Sequence, residues 1–200
     1  MFQDLGDDTR SRILRGAATA FMDRGIRATS VQEILNTAGV SRRTYYQYFS
    51  SKEGVMLALY ELAVTALIDH VRAAVEAESH PVKQVVVAIE NYVEFQRQGG
   101  PTLIALQAEA ICTDSPLGDR REETLNQLVK VLDEGVSAAL GRSCDPIVYR
   151  SVLMGIEGMV IHLQRGGIFS AEDSARVQAA GIPILLQVIN GVSSMPSEPV

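Results

Sequence analysis

Apolar side chains return at intervals of three and four along most of this 200-residue chain, the spacing that lays a stripe along one face of a helix. Ile13, Leu14, Ala17, Ala20 and Phe21 make the first stripe, in a helix expected from about Thr9 to Arg24 and closed by Gly25. Residues 1–8 before it read as a short mobile lead. Ile34, Leu35 and Ala38 make the second stripe, opened by the capping box Ser30-x-x-Glu33 and ended by Gly39, which takes a left-handed conformation without a Cβ clash. Ser41 caps a third, short helix, Arg42 to Phe49. Ser50-x-x-Glu53 then opens a long fourth helix, with Val55, Leu59, Leu62, Ala66 and Leu67 inward and no breaker before Ser79-His80-Pro81.

The period continues through the rest of the chain. A fifth helix runs from Pro81 to about Gln98, with Val82, Val85, Val86, Ile89, Tyr92, Val93 and Gln96 inward, and Gly99-Gly100-Pro101 breaks it. A short apolar helix reaches Cys112. Another, with Leu125, Leu128, Leu132 and Val136 in a stripe, ends near Leu140. The segment Pro146–Gln164 is apolar nearly all round, so its own domain or a partner must cover it. Gly155 and Gly158 inside it cost roughly 1 kcal/mol each, which close approach of another helix explains. Gly166-Gly167 ends that helix. Ser170-x-x-Asp173 opens the last one, with Val177, Ala180, Ile184 and Val188 in a stripe and a kink expected at Pro183. Ser193–Val200 reads as a disordered tail. Nothing asks for a strand, so the chain is expected to be all-α, with about nine helices.

The third helix breaks the pattern of the others. It carries adjacent arginines, Gln47 and three tyrosines where a core helix carries aliphatics. Two short helices joined by a Gly-containing turn, the second rich in hydrogen-bonding side chains, make a helix-turn-helix. Arginine pairs with guanine and glutamine with adenine in the major groove. Tyrosine, threonine and lysine side chains and helix N-termini suit phosphate oxygens. Arg43 and Gln47 are therefore expected to read bases. Tyr46, Tyr48 and Lys52 are expected to hold the backbone, Ser41, the N-cap, and Thr44 to be DNA contacts as well, and Arg42 to do either. Tyr45 and Phe49 are expected in the core.

Charge supports this division. The chain carries −6 overall, yet from Thr9 to Lys52 there are eight basic side chains and two acidic ones, a surplus of six, so the remainder carries −12. A basic head on an acidic body concentrates attraction for phosphate at one end.

The run from residue 9 to 60 resembles the TetR family of bacterial transcriptional regulators. The resemblance rests on a helix ending at Gly25, then Ala28-Thr29-Ser30-Val31, Ile34-Leu35-x-x-Ala38-Gly39-Val40-Ser41 and Tyr45-Tyr46-x-Tyr48-Phe49-x-x-Lys52-Glu53. It departs from the family's usual run at Arg43, where Gly is common, and at Gln47, where an aromatic or basic residue is common. The resemblance implies a helix-turn-helix DNA-binding domain over residues 1–53 and a helical ligand-binding and dimerisation domain over 54–200. It implies a phosphate contact for Thr29, a palindromic double-stranded DNA operator, a homodimer and release by a small-molecule effector. Tyr92, Gln107, Tyr149 and His162 are candidate polar anchors in an otherwise apolar effector pocket. Gly155, Gly158, Val177, Ile184 and Val188 are candidates for the dimer interface, two copies of the last two helices forming a four-helix bundle.

Other chemistry is missing from the sequence. His70, His80 and His162 are scattered, Cys112 and Cys144 lack metal-ligand spacing, and there is no phosphate loop or nucleophile elbow, so neither an enzyme nor a metal or cofactor is expected. The cysteines read as reduced thiols of a cytosolic protein. The N-terminus lacks the apolar core of a signal peptide, and no uninterrupted apolar run reaches the length of a membrane span, so no membrane partner is expected. The alternative function is a helical ligand-binding or protein-interaction module without a DNA target.

Overall fold

A computed structural model describes Phe2, residues 5–164 and residues 168–192, without the side chains of 140 and 188–192. Among them run eight helices and no strand: α1 (Thr9–Arg24), α2 (Val31–Ala38), α3 (Arg42–Tyr48), α4 (Lys52–Glu76), α5 (Pro81–Ile111), α6 (Gly118–Leu140), α7 (Pro146–Gln164) and α8 (Ala171–Val192). The expected count of nine differs by one because α5 joins two expected helices. At Gly100 the backbone leaves the helical path, with φ 66° and ψ −167°, and Pro101 restarts it. The expectations for Gly166-Gly167 and for the tail from Ser193 fall outside the described residues.

Packing gathers the chain into two compact units, residues 1–66 with 98–122 and residues 67–97 with 123–200. These units cut through α4, α5 and α6, so they follow packing rather than the expected division of roles at residue 53.

In the first unit α1 and α2 cross at Gly16. A Cβ built there would lie 2.7 Å from both the backbone nitrogen and the Cβ of Ala38, so only glycine admits this approach. Ile13, Leu14, Phe21, Ile34 and Leu35 are buried around the crossing. The caps fall close to where the sequence puts them. Asp8 accepts from the Ser11 amide at 3.1 Å, and both legs of the Ser30/Glu33 box form, at 3.3 and 2.7 Å. For α4 the cap is Ser51, one residue later than expected, its hydroxyl accepting from the Gly54 amide at 3.2 Å. The N-terminal lead is also more tied down than expected. Phe2 is buried, and Arg15 donates to the carbonyls of Leu5 and Gly6.

In the second unit Ile89, Val93, Leu128, Leu153, Ile156 and Val160 form the core. Tyr149 is fully buried. Its hydroxyl donates to Asp133 at 2.9 Å and accepts from the Cys144 amide at 3.3 Å. Burial first and the bond to Asp133 second push this phenol up, so it stays neutral. The close approach of α7 and α8 occurs at Gly181, where an added Cβ would sit 3.4 Å from Ile156. It does not occur at Gly155 or Gly158, both exposed, where an added Cβ meets nothing within 4 Å. α8 runs on through Pro183 without a break.

The outer face of α7 and α8 is apolar and uncovered by the described residues. Ile147, Met154 and Ile184 are 61, 48 and 51% exposed. An open groove of about 310 Å³ runs between them, lined by Ser151, Gly155 and Met159 among others. By length and composition α4 and α7 are both apolar enough to cross a membrane. The sequence does not show this directly, because scattered polar residues interrupt every pure apolar run. Of the relevant stretches, 56% of α4 but only 33% of α7 is buried within the chain, so α7 is the helix that still lacks a cover.

Candidate nucleic-acid interface

The site is built on α3, seven residues held at both ends. The Ser41 hydroxyl accepts from the Thr44 amide at 3.1 Å and shares a 2.8 Å hydrogen bond with the Thr44 hydroxyl. Both side chains are therefore engaged at the helix N-terminus. Tyr45 points inward, fully buried, with its hydroxyl donating to the Ser51 carbonyl at 3.0 Å. Burial, reinforced by nearby Tyr46 and Glu53, pushes its phenol up to about 12, so it remains a donor throughout the working range. Phe49 lies beside it with ring centroids 6.2 Å apart and is 7% exposed. These two residues are core, as the sequence predicts. Replacing Tyr45 with phenylalanine is expected to cost about 1 kcal/mol of head stability, measurable by thermal denaturation, without changing which operator is preferred.

With Tyr45 and Phe49 inward, the opposite face of α3 is presented to solvent. Arg42, Arg43, Tyr46, Gln47 and Tyr48 are all exposed, the two tyrosines by nearly half. The other basic side chains of the head are largely committed within the chain. Arg12 donates to the carbonyls of Ala38 and Gly39 at 3.3 and 2.9 Å, closing the C-terminus of α2. Arg15 ties down the lead segment, Arg24 pairs with Glu33 at 2.9 Å, and Arg10 lies over the Phe49 ring at 5.6 Å. Arg42 donates to the Gln32 side chain at 3.0 Å. Arg43 makes no hydrogen bond or ion pair among the described residues.

Two expected phosphate contacts are placed differently. Thr29 is 2% exposed, and its hydroxyl lies 3.1 Å from the Ala20 carbonyl and 2.8 Å from that of Gly25, so within the chain it closes the C-terminal end of α1. Lys52 is half-buried, and its ammonium donates to the carbonyls of Ile26 and Arg27 at 2.9 and 3.2 Å. Its first task is to hold the loop between α1 and α2. Neither arrangement is readable from spacing, because both partners are backbone carbonyls brought near by the fold.

The four candidate effector anchors do not share one environment. Gln107 is buried in the first unit, Tyr92 and Tyr149 in the second, and His162 is exposed beside an open groove of α7 and α8. The Tyr149 hydroxyl is already spent on Asp133. The residue that stands out is Gln96. It is fully buried in the second unit, and neither its amide nitrogen nor its oxygen has a hydrogen-bond partner among the described residues. The sequence marks it only as an inward position of its helix. Of the dimer candidates, Val177 is 2% exposed and belongs to the chain's own core, Ile184 is open, and the Val188 side chain lies outside the described residues.

Residues 13–59 match the family model described as bacterial regulatory proteins, tetR family. The transcriptional activator FasR of Mycolicibacterium smegmatis is 35% identical over 89 residues, 44% of this chain and 41% of its own length, so the match spans less than half of that protein. The transcriptional repressor KstR2 of the same organism is 26% identical over 170 residues, 82% of this chain and 83% of its own. The structure of the transcriptional regulator FadR of Bacillus subtilis, in complex with stearoyl-CoA, has the same fold, with a TM-score of 0.71 at 18% identity over 90% of this chain and 97% of that one.

Proposed function

The chain belongs to the TetR family of bacterial regulatory proteins and is a DNA-binding transcriptional regulator; from that premise we propose that it is a cytoplasmic homodimeric repressor of a palindromic operator, released by a small, largely apolar effector. Residues 1–53 contact DNA, and residues 54–200 carry the effector site and the dimer interface. The exposed face of α3 carries this reading, above all Arg43, which no group in the described chain engages. Arg43 and Gln47 read base edges, with Tyr46 and Tyr48 on the phosphates. Two such heads, joined through α7 and α8, meet half-sites roughly 34–36 Å apart.

Replacing Arg43 with alanine is expected to cost roughly 1–3 kcal/mol of operator affinity and to relax preference at one position per half-site. Replacing Tyr48 with phenylalanine is expected to weaken all sequences alike. A titration across operator variants separates the two, and identical profiles for both variants would refute the division of labour.

For the effector we propose the acyl chain of an acyl-CoA thioester as the apolar part that the body buries, its polar CoA end lying outside, the class of ligand named for the Bacillus subtilis FadR structure. Gln96 supports a thioester carbonyl at the head of the buried acyl chain, since its buried amide has no hydrogen-bond partner among the described residues. Gln96→Leu is expected to stabilise the ligand-free protein by roughly 1–3 kcal/mol, the penalty of an unmet buried amide. It is also expected to remove the rise in thermal midpoint that stearoyl-CoA produces in the wild type. An unchanged ligand-induced rise would show that Gln96 is not the anchor.

A further inference from the structure

Glu109 and Asp114 lie far along the chain from the helix-turn-helix, yet both carboxylates close on Arg27, in the loop that leads into it. Nε and Nη2 of Arg27 donate to Glu109 at 3.0 and 3.2 Å, and Nη1 and Nη2 donate to Asp114 at 3.3 and 2.8 Å. Two carboxylates gripping one guanidinium in this forked way fix its plane as well as its position. The Glu109 side chain is only 12% exposed, so it is shielded more than an ordinary surface pair. The hydrogen bond from Arg27 holds the Asp114 carboxyl below its usual range, so the Arg27–Asp114 pair is fully charged at neutral pH.

The loop that Arg27 belongs to is anchored on every side. Lys52 holds the carbonyls of Ile26 and Arg27, and the buried Thr29 hydroxyl holds it to the end of α1. Ser30, the N-cap of α2, follows at once. The arm of α5 that carries Glu109 is itself seated on α1, the Thr102 hydroxyl donating to the Ala18 carbonyl at 3.4 Å. That arm begins at Pro101, directly after the non-helical Gly100, so it is not continuous with the helix before it.

We propose that Glu109 and Asp114 are positioning residues for operator recognition: by clamping Arg27 they fix the entry of α2, and hence the pose in which α3 meets the groove. The inference rests on the DNA-binding reading above. It makes a prediction of unusual sign. Neutralising two acids on a protein that binds a polyanion should by simple charge strengthen binding. A positioning role demands the reverse for the specific sequence alone.

The test compares the wild type, E109Q/D114N and the charge swap R27E/E109R. Each is titrated against the duplex that the wild type selects from a randomised library and against a scrambled duplex of equal length. E109Q/D114N is expected to bind the selected duplex roughly tenfold more weakly while binding the scrambled one as well as or better than the wild type. A merely destabilised protein would lose both together, and circular dichroism of each variant checks that point separately. The swap leaves net charge unchanged and exchanges the two ends of the ion pair, so that the guanidinium now projects from α5. It is expected to recover most of the specific affinity. If E109Q/D114N holds the selected duplex as tightly as the wild type, or if the swap recovers nothing because Arg27 itself contacts phosphate, the inference is overturned. A wild type that enriches no sequence overturns the DNA-binding reading, and this inference with it.

Discussion

Replacing Gly16 with alanine is expected to cripple operator binding by unseating α2, although the change adds a single methyl group at the middle of a helix. Helix propensity alone predicts a gain of roughly 1 kcal/mol. The contact predicts a larger loss. The new Cβ would lie 2.7 Å from the backbone nitrogen and Cβ of Ala38 and 2.8 Å from its Cα, and backbone cannot step aside as the end of a flexible side chain can. Overpacking of this kind costs roughly 1–3 kcal/mol, occasionally more. That is a large share of the stability of a small three-helix head. A larger residue, as in Gly16→Leu, is expected to prevent α1 and α2 from packing at all. Thermal denaturation should show the loss, and operator titration should show affinity falling for every sequence, since the whole reading surface is displaced. Gly155→Ala provides the contrast. Nothing among the described residues lies within 4 Å of its added Cβ, so it should be neutral or slightly stabilising for the isolated chain. An alanine at position 16 that raised stability by the propensity increment would refute the close-approach account.

The second large effect is expected at Ile184. It is 51% exposed and, with Ile147, lines the open groove between α7 and α8. An apolar surface of that kind, shared with α7, of whose apolar stretch only a third is buried, is the mark of an interface. Under the dimer proposed above, Ile184→Asp would place a charge at each end of a two-fold contact, where no partner cation is provided. The mass by light scattering should fall by half at micromolar concentration, with the helical signal retained, because this side chain lies outside the chain's own core. Operator affinity should fall much further than the loss of one contact explains. Two linked heads gain roughly 10²–10⁴ from effective concentration, and a separated head forfeits it. A variant that remains a dimer would move the interface elsewhere, and a wild type that is monomeric while protecting a palindromic site would remove the need for one.

The head was legible in the sequence almost residue by residue. Its information is local: a capping box at Ser30 and Glu33, a left-handed glycine at 39, a cap at Ser41, and inward Tyr45 and Phe49 alternating with outward Arg43, Tyr46 and Gln47. Each of these is fixed by neighbours within four positions, the range over which helix periodicity and capping act. The all-α class and the break at Gly100 were readable for the same reason. What tertiary structure alone decided is where long side chains spend their hydrogen bonds. Thr29 and Lys52 have the chemistry of phosphate ligands, but backbone carbonyls stand beside them in the fold. Arg27 is one more basic residue in the sequence, but Glu109 and Asp114, more than eighty positions away, close on it. Within the described chain the close approach that demands glycine lies at Gly16, while Gly155 and Gly158 face outward, because a helix crossing is set by which two helices meet and at what residue. Spacing along a chain says which side of a helix a residue occupies; only the packed structure says what stands opposite.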